Sequence, residues 1–366
     1  MKKIICTFLA AFVILTALGI NVNADEEHPE VGWEYYSGYD LLGGHNGSAS
    51  FAYNEICWRV QRDSEEPRIH YIRQVPIVNS EYLDGTVRVP STMKGYNIHY
   101  IVGSCDFGAF DFDLENKYMK CVDNVIFDKD GKKLMSYAAR NKREEYAIPE
   151  GTEVIGYEAF ASCCNLNKVT IPGSVSRIES GAFQHDNCSA YELPDKIDII
   201  PMYCFYYNDK LTEFYIPENS KLRKIEDYAF FGCDELAEIW LPSFEISIAR
   251  HAFSYDEDLK TKTALRSCAK PFVTAEGNCI KWDKLPGASY YEVYQKTDGG
   301  EYKLLNTVKG TSCKFASLKQ GKEYVFAVKP FAIIDAADGY EGIFYHECPD
   351  TFTIEGTMSE DISVCI

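Results

Sequence analysis

Residues 166–183 decide the fold, and they read LNKVTIPGSVSRIESGAF. Apolar side chains alternate with polar ones before Pro172, which is typical of a short β-strand, and proline ends the strand because it has no N–H to donate. Phe183 follows 11 residues after Pro172 and is preceded by a small residue. The stretch therefore predicts a strand, a turn, a second short segment and another turn.

This pattern occurs five times between residues 148 and 253, as two sets of dipeptides that stay in phase. The first set is Ile/Leu-Pro, at intervals of 23, 22, 23 and 25 residues: Ile148-Pro149, Ile171-Pro172, Leu193-Pro194, Ile216-Pro217 and Leu241-Pro242. The second is a small residue before phenylalanine: Ala159-Phe160, Ala182-Phe183, Cys204-Phe205, Ala229-Phe230 and Ala252-Phe253. A period of about 20–29 residues with one strand per unit predicts a leucine-rich repeat solenoid, in which each coil buries its apolar edge only against its neighbours.

The units resemble the BspA-like (Treponema-type) leucine-rich repeats of secreted and surface bacterial proteins, which carry the same Ile-Pro and Ala-Phe-x-x-Cys-x-x-Leu elements. The resemblance begins at a first repeat around Val87–Pro90, and the segment between Phe110 and Ile148 looks like an insert typical of that family. Two apolar strands flank a Lys-Asp-Gly turn at residues 129–131 of that insert, which predicts a hairpin.

The C-terminal region has a different pattern, of short alternating strands. It resembles a bacterial fibronectin type III module, because Trp282, then the segment 287–294, and then Tyr324 follow in that family's order. The resemblance implies that Trp282 is a core residue and that Tyr324 is the corner tyrosine.

The predicted fold is therefore mainly β: a leucine-rich repeat solenoid with an N-terminal β cap, followed by a small antiparallel β-sandwich. The predicted divisions are a signal peptide at 1–24, a cap at 25–85, the solenoid at 86–265 with a hairpin insert at 111–147, a fibronectin type III-like domain at 271–349 and a polar tail at 350–366.

The first 24 residues predict export. Lys2 and Lys3 precede an uncharged apolar run from Ile4 to Ile20, and Val22-Asn23-Ala24 has the small residues of a cleavage site. We therefore expect a secreted, extracellular or cell-surface-associated protein with no membrane insertion after signal cleavage. An uncleaved N-terminal anchor is the alternative.

The charge of the chain and its lack of known catalytic motifs argue against several classes of function. Lys plus Arg number 37 against 55 Asp plus Glu, a net charge of −18, so the chain lacks the basic surface that a nucleic-acid partner requires. The seven histidines are scattered, without a zinc-protease motif, a nucleophile elbow or a phosphate-binding glycine loop. We expect no enzyme, no catalytic residue, no cofactor and no metal.

The cysteines follow the repeat. The chain has 14 cysteines, and Cys6 lies within the predicted signal peptide. The remaining number is odd, so at least one thiol is unpaired within the chain. Small residues three positions after each repeat phenylalanine, such as Cys163, Asp186 and Cys233, predict a column that satisfies backbone groups where the coil turns. A metal or disulfide site is the alternative interpretation of these cysteines.

A binding surface is predicted on the strands that precede each proline. Val169 and Ile171 should point into the core, so the residues two and four before each proline face outward. Large aromatic side chains beside carboxylates are unusual on a surface and favour an interface. The predicted ligand-binding residues are Tyr215, Trp240, Glu213, Glu238 and Glu192.

The predicted function is a binding or adhesion module whose partner is an extracellular protein or polysaccharide. The main alternative is a structural extracellular spacer without its own ligand, and a Cys-His hydrolase ranks below both. A further alternative for the surface itself is that the C-terminal module or a loop covers Tyr215 and Trp240.

Overall fold

The computed structural model describes the core of the chain and parts of its N-terminal region. The described residues are 33–36, 56–62, 67–74, 86–89, 91–93, 96–99, 101, 108–253, 263–298, 300–337 and 350–365. The predicted signal peptide and much of the predicted cap lie outside them. Within these ranges, no helix is long and apolar enough to cross a membrane.

The described residues form 29 strands. In chain order they are β1 (Trp33–Tyr36), β2 (Ile56–Arg62), β3 (Pro67–Gln74), β4 (Thr86–Val89), β5 (Thr92–Met93), β6 (Tyr96–Ile98), β7 (Ala109–Phe112), β8 (Met119–Val122), β9 (Val125–Asp128), β10 (Lys133–Tyr137), β11 (Glu145–Ala147), β12 (Val154–Ile155), β13 (Lys168–Thr170), β14 (Arg177–Ile178), β15 (Ala190–Glu192), β16 (Ile199–Ile200), β17 (Glu213–Tyr215), β18 (Lys224–Ile225), β19 (Glu238–Leu241), β20 (Ser247–Ile248), β21 (Ala264–Ser267), β22 (Val273–Glu276), β23 (Cys279–Trp282), β24 (Tyr290–Lys296), β25 (Tyr302–Val308), β26 (Ser312–Lys314), β27 (Glu323–Asp335), β28 (Thr351–Gly356) and β29 (Ile362–Cys365).

The solenoid has two strand positions in each coil. In each coil a front strand precedes the turn at the repeat proline position, and a back strand follows that turn. The front strands are β11, β13, β15, β17, β19 and β21. The back strands are β10, β12, β14, β16, β18 and β20. Neighbours pair in parallel, as in β11–β13, β15–β17 and β19–β21 at the front and in β12–β14 and β16–β18–β20 at the back. The parallel pairing confirms the predicted solenoid of stacked coils.

The repeat phenylalanines form one continuous stack through the core. Their ring centroids are 5.3 to 5.5 Å apart from coil to coil, and consecutive rings are nearly parallel: Phe160, Phe183, Phe205, Phe230 and Phe253. Backbone hydrogen bonds follow the same direction, since Phe160 N donates to Ala182 O and Phe183 N donates to Cys204 O. The small residue before each phenylalanine is buried, which lets the next coil approach.

The insert is a three-stranded meander and not a single hairpin. β8 pairs with β9, and β9 pairs with β10, both antiparallel. The first turn has Asp123 and Asn124 in the left-handed region, with φ of 53° and 62°, which suits a two-residue hairpin turn. The second turn is the predicted one at 129–131. β10 is also the first back strand, because it pairs in parallel with β12, so the meander is built into the solenoid.

The N-terminal strands form a separate sheet in the order β1-β2-β3-β6-β5. β1, β2 and β3 are antiparallel, while β3 and β6 are parallel. β4 pairs in parallel with β7, in register from Thr86↔Ala109 to Val89↔Phe112.

Two sheets form the C-terminal sandwich. β22, β23 and β26 form one, and β25, β24, β27 and β29 follow in that order in the other. Their shared core includes Trp282, Tyr291 and Phe326, all buried. The expectation that Trp282 is a core residue is confirmed.

The expected polar tail at 350–366 is wrong. Residues 351–356 and 362–365 are β28 and β29, and both pair antiparallel with β27. Ile354 and Val364 are fully buried, and the residues on either side of each are exposed or half-buried. A division at residue 349 would therefore separate strands that belong to one sheet.

The sandwich continues both strand positions of the solenoid. β28 pairs in parallel with β21, the last front strand, and Ala337 forms a parallel bridge with Ala249, next to the last back strand. Ala332 and Ile354 belong to the same hydrophobic core as the repeat phenylalanines. The solenoid core therefore extends into the sandwich, whose residues around Trp282 form a second core.

One carboxyl group is fully buried in the solenoid. Asp186 accepts a hydrogen bond from the Tyr191 hydroxyl and another from Cys188 N at 3.0 Å. Its burial raises the pKa of the Asp186 carboxyl from 3.8 to about 7. The buried position is a member of the predicted column three residues after the repeat phenylalanines, where Cys163 and Cys233 are also buried.

We predict that Asp186 makes the protein less stable as pH rises. Its folded-state pKa lies above the unfolded value, so the folded protein holds a proton that the unfolded chain releases between about pH 4 and pH 7. The shift from 3.8 to about 7 corresponds to roughly 4 kcal/mol, which is lost across that window. Urea unfolding at about pH 4 and pH 8 should show this fall in the wild type relative to Asp186→Asn. An identical pH dependence in the two proteins would contradict it.

The shared core gives a second prediction. A Cβ added at Gly356 would lie 2.8 Å from Phe244 Cζ and 2.9 Å from Ala269 O, so Gly356→Ala should destabilise the protein by about 1–3 kcal/mol through overpacking. Gly310→Ala is the matched control, because nothing lies within 4 Å of its added Cβ. Chemical denaturation measures both variants. Equal stability of the two would show that the modules do not pack closely at this point.

Candidate functional site

The front strands present the predicted surface to solvent. Tyr215 is 54% exposed and Trp240 is 39% exposed, and Glu192, Glu213 and Glu238 are exposed as well. The residues between them on the same strands, such as Phe214 and Ile239, are buried. The predicted outward direction of these five side chains is confirmed, and the sandwich does not cover the two aromatic rings.

The strand register decides which of these residues are neighbours. In β15 and β17, Glu192 lies opposite Tyr215 and Ala190 lies opposite Glu213. β19 lies beside β17, which brings Glu238 and Trp240 to the same face. The five predicted residues therefore occupy three neighbouring front strands.

The indole of Trp240 is turned toward its own strand. Its Nε1 donates a hydrogen bond to Glu238 Oε1 at 3.0 Å, as expected for two side chains on one face of a strand. No ring contact between Tyr215 and Trp240 is found among the described aromatic residues. A continuous strip of two touching rings, which strand spacing alone would suggest, is therefore not what the structure has.

A charged network borders Trp240 on the other side. Arg266 of β21 lies opposite Trp240, and its Nε is 3.5 Å from Glu238 Oε2. Arg266 also forms an ion pair with Glu355 of β28, which pairs in turn with Lys329 of β27. The sequence did not indicate this network, because Ala264–Ser267 no longer carries the repeat pattern and Glu355 lay in the supposed tail.

A second group of aromatic residues, also missed from the sequence, lies around the turns. Tyr203 stacks on Tyr228 with centroids 5.1 Å apart, and Tyr228 stacks on His251 at 5.2 Å. Tyr206 and Phe231 stack beside them. These rings contact one another from coil to coil in the same way as the core phenylalanines, so their contacts serve the stacking of the coils.

The buried thiols of the solenoid do not have the features of a reactive nucleophile. Burial raises the pKa of the Cys188 thiol to about 12 and that of Cys204 well above its usual value, so the reactive thiolate is disfavoured. His251 Nδ1 lies 3.2 Å from Asp227 Oδ1, and the His185 ring stacks on Tyr207. Among the described residues, no group of three or more His, Cys, Asp or Glu side chains could hold a metal ion.

The repeats match a known family. The model of the BspA type leucine rich repeat region matches residues 134–260 in six copies. The repeats of the solenoid are therefore similar to BspA-type leucine-rich repeats. The match lies within the solenoid, and no curated protein matches the chain.

Solved structures with similar repeats come from several bacteria. A leucine-rich repeat protein from Eubacterium ventriosum is 18% identical, with a TM-score of 0.37, over 46% of this chain and 58% of that one. The pneumococcal vaccine antigen PcpA is 18% identical, with a TM-score of 0.37, over 50% of this chain and 51% of that one. A leucine rich cell surface protein from Faecalibacterium prausnitzii is 18% identical, with a TM-score of 0.30, over 71% of this chain and 60% of that one. The chain thus spans about half to three fifths of the length of these proteins.

We predict that Trp240→Ala changes the free energy of unfolding by less than about 1 kcal/mol, because surface substitutions rarely cost more. The comparison variant is Phe205→Ala in the buried stack, which should cost about 3–5 kcal/mol. Denaturant unfolding distinguishes the two. A loss of stability for Trp240→Ala as large as that for Phe205→Ala would mean that the indole is part of the core.

Proposed function

We propose that the protein is a secreted or cell-surface-associated bacterial leucine-rich repeat protein, acting as a binding or adhesion module for a protein or glycan ligand. The ligand would bind the front face around Trp240 and Tyr215. The exposure of both rings among Glu192, Glu213 and Glu238 carries this proposal. The predicted export signal and the resemblance of the repeats to those of secreted and surface bacterial proteins support the location.

The chemistry of the face suits recognition. Large aromatic side chains provide much contact area at little conformational cost, and they dominate the energetics of many interfaces. The Trp240 N–H is already satisfied by Glu238, so contact with the indole ring needs no new partner for that group. The neighbouring carboxylates can accept hydrogen bonds from a cation, a hydroxyl or a peptide N–H.

We also infer that the C-terminal sandwich is fibronectin type III-like. The strand order supports this, with β22-β23-β26 in one sheet and β25-β24-β27-β29 in the other. Trp282 packs against Tyr291 with centroids 5.4 Å apart. Lys319 N donates to the Tyr324 hydroxyl at 3.2 Å, a contact between this tyrosine and the backbone a few residues upstream that is typical of a tyrosine corner.

A structural spacer without its own ligand is the second candidate. The shared core between solenoid and sandwich favours it, because such a junction would hold the two modules in a fixed relation. Cys188 and Cys204 do not support a hydrolase, since burial raises the pKa values of both thiols.

The test is binding of the mature chain to arrays of extracellular matrix proteins and glycans. Trp240→Ala should weaken binding to any ligand of the front face by about 2 kcal/mol or more, roughly 30-fold, as is typical for a central aromatic anchor. Phe272→Ala is the matched control, because Phe272 is 73% exposed but precedes β22 in the other sheet of the sandwich. If both variants lose binding equally, or if both keep it, the ligand does not bind the front face around Trp240. An absence of any ligand would favour the spacer.

A further inference from the structure

We infer that the proposed binding face continues beyond the solenoid, across β21 and β28 onto β27 and β24, and that its partner is an extended basic polypeptide segment. This inference rests on the proposed function, which concerns only the solenoid half of the face. Its new elements are the contribution of the sandwich and the chemistry of the ligand.

The continuity follows from the strand register. One row of side chains crosses the junction with one residue on each strand, and its in-register neighbours are Trp240↔Arg266, Arg266↔Glu355, Glu355↔Phe331 and Phe331↔Tyr290. On the solenoid side the row is extended by Glu192↔Tyr215 on β15 and β17. Paired residues of adjacent strands point to the same face of a sheet, so the row is one surface.

The burial pattern of β27 gives the same result. Ile333, two residues beyond Phe331, is 49% exposed, whereas Ala332 between them is fully buried in the core shared with the solenoid. Phe331 therefore lies on the outer side of the strand. Its ring stacks on Tyr290 with centroids 4.9 Å apart and an interplanar angle of 2°, which makes a second aromatic platform on the sandwich.

The face thus has aromatic groups at both ends and charges between them. Tyr215 and Trp240 lie on the solenoid, Tyr290 and Phe331 lie on the sandwich, and the Arg266–Glu355 ion pair separates them. Strands lie about 4.8 Å apart, so the five intervals from β17 to β24 correspond to roughly 24 Å. An extended peptide rises about 3.3 Å per residue, and about seven residues would span that width.

The charges of the face favour a cationic partner. Arg266 pairs with Glu355 and Glu238, and Lys329 pairs with Glu355, so two carboxylates balance the two bases at the centre. Glu192 and Glu213 add two more exposed carboxylates on the solenoid side of the face. A lysine or arginine side chain over one of the aromatic rings gains cation–π attraction, and it gains charge-assisted hydrogen bonds from the carboxylates.

Other occupants fit the charges less well. A second copy of the chain carries the same net charge of −18, so two such faces or surfaces would repel each other. An acidic glycan would meet the same repulsion. A neutral glycan could contact the aromatic rings but would gain no charge attraction from the exposed carboxylates. The experiment must therefore distinguish a neutral glycan from a basic peptide.

The experiment selects peptides of about twelve residues, longer than the span of the face, from a random phage-displayed library on the mature full-length protein. Clones that also bind Trp240→Ala are removed. We expect the remaining peptides to be enriched in arginine or lysine together with apolar residues, and their binding to weaken as NaCl is raised from about 0.05 to 0.5 M. Enrichment of acidic or uncharged peptides, or recovery of none that depend on Trp240, would overturn the inference.

Variants then test the extent of the face with one synthetic peptide from that selection. Ile333→Ser on the sandwich should weaken binding about 3- to 10-fold, as a contact beside a central anchor can, while Phe272→Ser, which also removes an exposed apolar group, should not. Glu213→Gln should weaken binding about 3-fold or more through the lost charge, while Glu150→Gln, an exposed acid three coils away, should not. If Ile333→Ser binds the peptide with wild-type affinity, the binding face is limited to the solenoid. If Glu213→Gln binds it with wild-type affinity, the inference of a basic partner is wrong.

The two proposals can fail separately. If the array ligand depends on Trp240 but is a neutral glycan, or is insensitive to Ile333→Ser, the proposed function stands and the further inference is overturned. Concentration-dependent dimerisation of the wild type that Trp240→Ala abolishes would instead show that a second copy occupies the face.

Discussion

The stack of phenylalanine rings is the interaction on which the structure depends. Each ring lies 5.3 to 5.5 Å from the next, a spacing close to the distance of about 4.8 Å between paired strands. Coils can therefore pair their strands and stack their rings at the same time. Because a buried ring contributes through both faces, no coil is stable without its neighbours. The outward direction of Tyr215 and Trp240 follows from this arrangement.

The sandwich covers the last coil of the stack. Phe352 of β28 contacts the last repeat ring, Phe253, at 6.2 Å, and β28 pairs with the last front strand. The bridge from Ala337 to Ala249 completes the back of the same coil. An unpaired strand edge is a liability for aggregation, so the sandwich protects the solenoid while it extends the front face.

Much of the solenoid could be predicted from the sequence, because its signals are local. The intervals between prolines placed Val169 inside and Tyr215 and Trp240 outside, and the structure agrees. The sequence could not place Arg266, since its neighbours Trp240 and Glu355 are set by strand register and not by spacing. The same holds for β28, because the alternating pattern of its six residues does not indicate which strands it pairs with. The relation of the two solenoid rings was also beyond the sequence, because the Trp240 side chain is oriented by its hydrogen bond to Glu238.

The junction also has a consequence for the order of folding. Many contacts within the solenoid join residues 22 to 25 positions apart, such as Thr152 with Ser174 and Asp198 with Arg223, whereas Arg266 and Glu355 are separated by 89 positions. Short loops close sooner than long ones, and distant pairings slow folding. Coils should therefore assemble early, one on the next, and the seam between β21 and β28 should close last. Until it closes, the last coil has no partner on its outer side, and the two halves of the front face are not yet one surface.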